Sequence, residues 1–445
     1  MVEPSQIQAY LKGVSRRYEQ WRCENALTET IAAQQATFTF EQFVQTEEKR
    51  PGEQPQKKIL PLFQGIRDYL RSEHVLLVGS PGVGKSSALW HCLDIFANEE
   101  LEASQPRIPV LVQLKGYRDS FVSTEDPSGL LTLIRSSIRP YLRLSIPEVD
   151  DLLCDKRLIL LLDGLNEIPA GAFRTHLKAF RDECKELEVS LICSSRELGG
   201  GDLGIQRKLE IQPLSLRETD RFLQVCLPEH QDQVRQLLQR DNRELSRTPF
   251  VLWMLYQLLK ETGILAETLG EAFRQFFQNA YRRYKENNVP EYRENWNLWL
   301  EELAFAMLAN PDPLDLGLVI SKEDAENILT ARFTNEPFHE TSRISYLLDH
   351  FPLTKVSGKE ISFKHQLIQE YYAAECLLEK LRKEPQLLHK QKGQKYTSFQ
   401  IRYLNYRKWS EVIAFTLSLM KGEEKNRPLS SFRSQRGQQS RGGTS

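Results

Sequence analysis

The chain has 445 residues, 27% of them charged, and a formal net charge of −1. That balance supplies no global drive toward nucleic acid or a membrane surface, and the length suggests about three domains. The seven cysteines (Cys23, Cys92, Cys154, Cys184, Cys193, Cys226, Cys376) form no C-x-x-C pair and the eight histidines form no H-E-x-x-H. This argues against a disulfide frame or a zinc motif and fits free thiols in a reducing, cytoplasmic setting.

The N-terminus, Met1-Val2-Glu3-Pro4-Ser5, lacks a basic-then-apolar signal. The best apolar runs, Leu158 to Leu162 and Val412 to Met420, are too short to span a membrane, so no membrane partner is expected. Residues 5–32 predict one amphipathic helix with Ile7, Tyr10, Leu11, Val14, Tyr18 and Trp21 on one face. Such a helix either packs on its neighbour or acts as a signalling element. Pro51-Gly52-Glu53-Gln54-Pro55-Gln56-Lys57-Lys58 reads as a linker rich in breakers, so residues 1–58 form the N-terminal segment.

From residue 59 to 213 strand and helix signals alternate. Val75–Val78, Ile108–Leu114, Leu158–Leu162, Val189–Cys193 and Leu209–Ile211 are strand-like. Apolar runs without alternation are what a parallel sheet covered on both faces requires, which predicts a doubly wound α/β domain.

The first strand runs into Gly79-Ser80-Pro81-Gly82-Val83-Gly84-Lys85-Ser86, which fits G-x-x-x-x-G-K-[ST], and a helical stretch from Ser87 follows. Strand, glycine loop and helix together predict a triphosphate cradle. The glycines let backbone N–H groups curl around an anion at the helix N-terminus. Lys85 is expected to reach the β- and γ-phosphates, Ser86 to hold Mg²⁺, and Ser87 to bond the α-phosphate side.

The run Leu158-Ile159-Leu160-Leu161-Leu162 ends in Asp163-Gly164-Leu165-Asn166-Glu167. Ligands of an open parallel sheet bind at the carboxyl ends of its strands. Asp163 is therefore expected beside the glycine loop as a Mg²⁺ ligand, and Glu167 as the residue that activates an attacking water. A further strand, Val189 to Ser194, ends at Ser195-Arg196-Glu197, and Arg196 would reach the same sheet edge and sense the γ-phosphate.

After Pro213 the pattern turns helical. Residues 214–295 predict a helical domain with helices over Leu216–Leu227, Gln231–Leu245, Phe250–Leu259 and Leu265–Tyr284. Residues 296–378 add a short β-pair near Leu353–Val356 and Glu360–Phe363 among helices, which suggests a winged-helix unit. Residues 379–420 read as a helical C-terminal segment, and the Ser-, Gly-, Gln- and Arg-rich residues 421–445 as a disordered tail.

Taken in order, these motifs resemble the NACHT family of signal-transduction ATPases, the group that includes the NOD-like receptors. The resemblance rests on the glycine loop, on L-L-L-D-G-L-N-E, on I-C-S-S-R-E, on Arg247-Thr248-Pro249-Phe250-Val251-Leu252, and on Phe363-Lys364-His365-Gln366-Leu367-Ile368-Gln369-Glu370-Tyr371-Tyr372-Ala373-Ala374. It covers about residues 60 to 380. It implies a P-loop domain followed by helical and winged-helix domains, and a switch that binds ATP or ADP with Mg²⁺, hydrolyses ATP slowly and self-assembles in a nucleotide-dependent way. It also implies that Pro249 lies near the base and sugar, and that His365 touches the β-phosphate in the ADP-bound state.

Two departures stand out. Asn166 occupies the place of a second Asp, which points to slow hydrolysis. The chain ends where such proteins typically continue into a repeat sensor, so the sensor is expected to be missing, very short, or supplied by a separate sensor or effector protein. No N-K-x-D element reads guanine, so adenine is favoured.

The competing expectations are an ATPase that remodels nucleic acid or protein, and a non-hydrolysing nucleotide-binding scaffold. Residues 390–409, with Tyr396, Tyr403, Tyr406, Arg407, Lys408 and Trp409, are basic with interleaved aromatics, a pattern on which single-stranded bases can stack. The plainer reading is a solvated linker and a helix with Leu404 and Trp409 turned inward, and nucleic acid is not the expected partner.

Overall fold

The computed structural model describes residues 2–25, 40–48, 56–70, 73–117, 129–168, 172–196, 203–241, 244–285, 296–310, 315–334, 343–350, 353–355, 359–389 and 396–420. The chain divides into two compact units, Met1–Tyr256 and Gln257–Ser445.

The first unit opens with helix α1 (Pro4–Asn25), followed by β1 (Phe43–Glu48), β2 (Gln56–Pro61), α2 (Leu62–Leu70), β3 (Val75–Val78) and α3 (Lys85–Leu101). Then come β4 (Ile108–Gln113), α4 (Leu130–Ile138), α5 (Ile146–Cys154), β5 (Leu158–Asp163), α6 (Ala172–Glu186), β6 (Ser190–Ser195) and β7 (Arg207–Ile211). Helices α7 (Leu216–Cys226), α8 (Gln231–Arg240) and α9 (Pro249–Thr262) complete it, α9 running through the division. The seven strands form one sheet in the order β2-β1-β7-β3-β6-β5-β4. From β7 to β4 every pairing is parallel, and β1 joins β7 antiparallel. The central strands are buried along their length, as a sheet covered by helices demands.

This is a P-loop α/β fold, and its order has one consequence for the site. Strand β6 is inserted between β3, which feeds the glycine loop, and β5, which ends in Asp163. The carboxyl end of β6 therefore projects between the two.

The predicted N-terminal helix packs on its neighbour. Ile7, Tyr10, Leu11 and Val14 are buried in the sheet's core, and the Tyr10 hydroxyl donates to the Pro109 carbonyl at 2.8 Å. Trp21 stacks on Trp90 at 5.2 Å and Tyr18 on His91 at 5.8 Å, which ties α1 to the helix that carries the glycine loop. The expected continuation past residue 25 lies outside the described residues.

The linker reading is corrected for Gln56, Lys57 and Lys58. They belong to β2, which pairs antiparallel with β1 from Phe43↔Pro61 to Glu48↔Gln56. Their polarity reflects an exposed edge strand, not a loop. The rest of that segment, 51–55, lies outside the described residues.

The second unit holds α10 (Leu269–Lys285), α11 (Trp296–Leu308), β8 (Ile320–Ser321), α12 (Lys322–Arg332), α13 (Arg343–His350), β9 (Leu353–Lys355), β10 (Glu360–Phe363), α14 (Gln366–Lys383) and α15 (Ser410–Leu419). The predicted hairpin is present, and β8 adds a third strand, giving the order β8-β10-β9 of a winged helix. Ala373 and Ala374 are fully buried on α14, which packs against α11 and α15. Gln369 donates to the Gly317 carbonyl at 2.8 Å. No helix among the described residues is long and apolar enough to cross a membrane. The tail 421–445 lies outside the described residues.

Candidate nucleotide site

The glycine loop leaves the end of β3 and enters α3 at Lys85. Gly82 and Gly84 have φ of +76° and +105°, a region closed to most side chains. Gly84 sits at the N-cap without any side-chain cap, and the first helical bond is Ala88 N–H to the Gly84 carbonyl at 2.8 Å. The N–H groups ahead of Ala88 are thus the uncapped start of a 17-residue helix, a ready anion site. Val83 is buried and anchors the loop, while Pro81 and Gly82 are half-buried at its turn. Gly79 is buried at its start, and the Ser80 hydroxyl is buried with no hydrogen-bond partner among the described residues.

Lys85 donates to the carbonyls of Gly79 at 2.7 Å and Ser80 at 3.0 Å, which folds its ammonium back over the loop. Ser86 and Ser87 are exposed at the first turn of α3. Gln42, which sequence reasoning missed, donates from Nε2 to the Val83 carbonyl at 2.7 Å and pins the loop from the segment before β1.

The acidic loop is laced to the end of β6. The Ser194 hydroxyl donates to Asp163 Oδ1 at 2.5 Å and accepts the Gly164 N–H at 2.9 Å. Asn166 is buried, and its Oδ1 accepts the Arg196 backbone N–H at 3.1 Å. Gly164 has φ of +88°, and a Cβ there would sit 2.8 Å from Glu167 Cδ. Glycine is what lets the Glu167 side chain fold against its own loop.

Burial first, and the charge of Asp163 second, push the Glu167 carboxyl up to about 7. Lys115, Arg196 and Lys85 act in the opposite direction. The structure thus brings Lys85, Asp163, Glu167 and Arg196 to one edge of the sheet. It adds Lys115, from the turn after β4, which no motif flagged; its only trace in the sequence is a position just beyond an apolar strand.

Asp163 Oδ2 takes no hydrogen bond among the described residues. One carboxylate and one hydroxyl, Asp163 and Ser86, are the hard oxygen donors that Mg²⁺ takes alongside phosphate and water. The residues present therefore fit a magnesium nucleotide.

Pro249 and His365 each have a local structural role. Pro249 is buried as the first residue of α9, behind Thr248, whose hydroxyl donates to the Leu245 carbonyl at 2.9 Å. Helix starts favour proline for its fixed φ. His365 belongs to the second unit. It is the N-cap of α14, where Nδ1 accepts the Leu367 N–H at 3.1 Å.

Of residues 390–409, the stretch 390–395 lies outside the described residues. Tyr403 and Trp409 are buried and meet edge-on at 4.9 Å. Lys408 is buried as well, its ammonium 2.9 Å from the Asn310 carbonyl. Leu404 is only half-buried, whereas Thr397, Phe399 and Gln400 are buried along with Tyr403, Lys408 and Trp409.

No protein-family model matches the chain, and no curated protein matches it. Among solved structures it is similar to the ORC2 protein of Aeropyrum pernix, in ADPNP and ADP complexes, at 14% identity. That match covers 72% of this chain and 94% of the other, with a TM-score of 0.34. The ORC1 protein of the same organism in complex with DNA matches at 18% identity over 70% and 92% of the chains, TM-score 0.34. A Thermotoga maritima RuvB variant matches at 13% over 68% and 90%, TM-score 0.27. Scores this low leave the functional assignment to the chain's own site.

Proposed function

We propose that this protein binds ATP with Mg²⁺ and hydrolyses it slowly, and that its nucleotide state controls opening and self-assembly. The observation that carries the binding and hydrolysis is the meeting of Lys85, Asp163, Glu167 and Arg196 at the carboxyl edge of one parallel sheet. In this reading the loop amides and Lys85 hold the phosphates. Ser86 and Asp163 hold Mg²⁺, whose chemistry when bound is to neutralise developing phosphate charge. Glu167 accepts a proton from water, and Arg196 faces the γ-phosphate.

The switch rests on the resemblance of the α14 segment to the NACHT winged-helix motif. His365 would favour the ADP-bound form, and Pro249 would border the base. A ligand shifts such an equilibrium only through unequal affinity for the two states. A working ATPase acting on nucleic acid or protein is the second reading. One observation favours a nucleic acid: Tyr396, Arg402, Tyr406 and Arg407 remain exposed around the buried Tyr403.

Fluorescent ATP-analogue binding, followed by light scattering in ADP and in a non-hydrolysable ATP analogue, tests the proposal. Lys85→Ala is expected to lose about 100-fold in ATP affinity, the worth of two charge-assisted bonds. Wild-type affinity in that variant refutes the site. A nucleotide-dependent change in mass supports the switch; an unchanged mass with a salt-dependent shift of single-stranded nucleic acid supports the second reading.

A further inference from the structure

We propose that Ser194 is the positioning residue of the metal site, fixing the Asp163 carboxylate so that Mg²⁺ is taken by a preset ligand. This rests on the magnesium-nucleotide reading above and deepens it.

Ser194 interrupts an apolar strand. Leu191, Ile192 and Cys193 are fully buried on β6, and Ser194 is itself only 1% exposed. A hydroxyl so placed is costly unless both its donor and acceptor capacities are met. Both are met on the adjacent strand exit, by Asp163 Oδ1 at 2.5 Å and by the Gly164 N–H at 2.9 Å. A hydroxyl donating to a carboxylate at that distance is a short, charge-assisted bond. It commits Oδ1 and leaves Oδ2 without a hydrogen bond among the described residues.

The register explains why this serine does the work. Ser194 lies opposite Leu77 of β3, two residues before the glycine loop, while Cys193 lies opposite Leu162 of β5, one residue before Asp163. Ser194 thus stands on the strand between the phosphate loop and the acidic loop. Successive side chains of a strand point to opposite faces, so the neighbouring Ser195 cannot substitute. Its hydroxyl, also buried, donates instead to the Arg196 carbonyl at 3.3 Å. The chain therefore carries its own control: adjacent serines of equal burial, one bonded to the metal ligand and one not.

Partners that orient a metal ligand are typically worth 10–100-fold in metal affinity. The test uses the full chain and a fluorescent ATP analogue, titrated with Mg²⁺, with a Mn²⁺ titration read by electron paramagnetic resonance as a readout independent of turnover. Ser194→Ala is expected to raise the half-saturating Mg²⁺ concentration about 10-fold or more, with the analogue's affinity in the absence of metal unchanged. Ser194→Thr, which keeps the hydroxyl, and Ser195→Ala are expected to stay near wild type. A wild-type Mg²⁺ midpoint in Ser194→Ala overturns the inference while leaving the nucleotide site standing. An equal shift in Ser195→Ala also overturns it, because the effect would then be general loosening of β6. If the unmodified protein shows no Mg²⁺-dependent nucleotide binding, the underlying reading falls and this inference with it.

Discussion

Asn166 accepts the backbone N–H of Arg196 at 3.1 Å, and so joins the acidic loop to the strand that carries the candidate γ-phosphate sensor. The departure from a second Asp therefore leaves this tie intact. It also spares Glu167 a second carboxylate beside the one at Asp163. Glu167 already sits at about 7, raised by burial and then by Asp163. A general base must be ionised to accept a proton, so kcat/KM, which reports the free enzyme, is expected to rise with pH and level off above about 7. Below that midpoint it falls about tenfold per unit. Asn166→Asp adds one negative charge and is expected to move the midpoint upward, on the order of one unit. Single-turnover hydrolysis across pH 5.5 to 9 measures both, with Glu167→Gln as the flat reference. A midpoint that stays put or drops in Asn166→Asp refutes the account.

Gly164 is the second lever on the same side chain. A Cβ at φ of +88° is strained, and it would meet Glu167 Cδ at 2.8 Å. Gly164→Ala is expected to cost about 1–3 kcal/mol of stability and to displace the carboxyl of Glu167, the proposed general base. Nucleotide binding, proposed to rest on the glycine loop, should change little. The variant should therefore show near-wild-type affinity for an ATP analogue with hydrolysis reduced at least about tenfold, about 1.4 kcal/mol in the barrier. Parallel losses in binding and hydrolysis would count against a local role.

The parts of this site that were legible in the sequence are those whose chemistry is contiguous. The glycine loop carries its strand, turn and helix signals within a dozen or so residues, and Asp163 and Glu167 follow one unmistakable apolar run. What stayed hidden depends on partners distant in the chain. β1 and β2 are polar because they form an edge hairpin, and β1 is recruited by pairing Val44 with Ile211 and Gln45 with Glu210. Gln42 reaches Val83 across 41 positions and Ser194 reaches Asp163 across 31; no local pattern announces either bond. β8 spans two residues and exists only because β10 pairs with it. Lys408, read as part of a basic surface, is buried instead because the carbonyls around Asn310 and Asp315 need a donor.

The helical core of the second unit contains a pH-dependent element of stability. Arg274 forms a two-pronged pair with Glu375, and the Tyr371 hydroxyl donates to the same carboxylate at 2.8 Å. Glu301 faces this pair from α11, and burial first, then the Glu375 charge, push its carboxyl up to about 8, with Arg274 opposing. The folded state therefore binds this proton more tightly than the unfolded chain does. Stability is undiminished below the ordinary carboxylate range and declines as pH climbs toward about 8. Urea unfolding at pH 6 and pH 8 is expected to differ by roughly 2 kcal/mol from this group. Glu301→Gln should remove most of the difference, and a Gln variant with the full slope would assign it elsewhere.

His365 has one observed role and one proposed role, and one substitution pair distinguishes them. As the N-cap of α14 it accepts the Leu367 N–H through Nδ1, a service that Asn performs well and Ala does not. Losing the cap should cost about 1 kcal/mol, so His365→Ala is expected to melt lower and His365→Asn to recover. The proposed contact with the β-phosphate needs the imidazole itself, which neither variant keeps. If that contact favours the ADP-bound state, both variants release a fluorescent ADP faster than the wild type, and by similar factors, because the lost interaction is the same. Stopped-flow release alongside thermal melting separates the outcomes. Release that tracks melting, restored by Asn and not by Ala, makes His365 a helix cap and removes it from the switch.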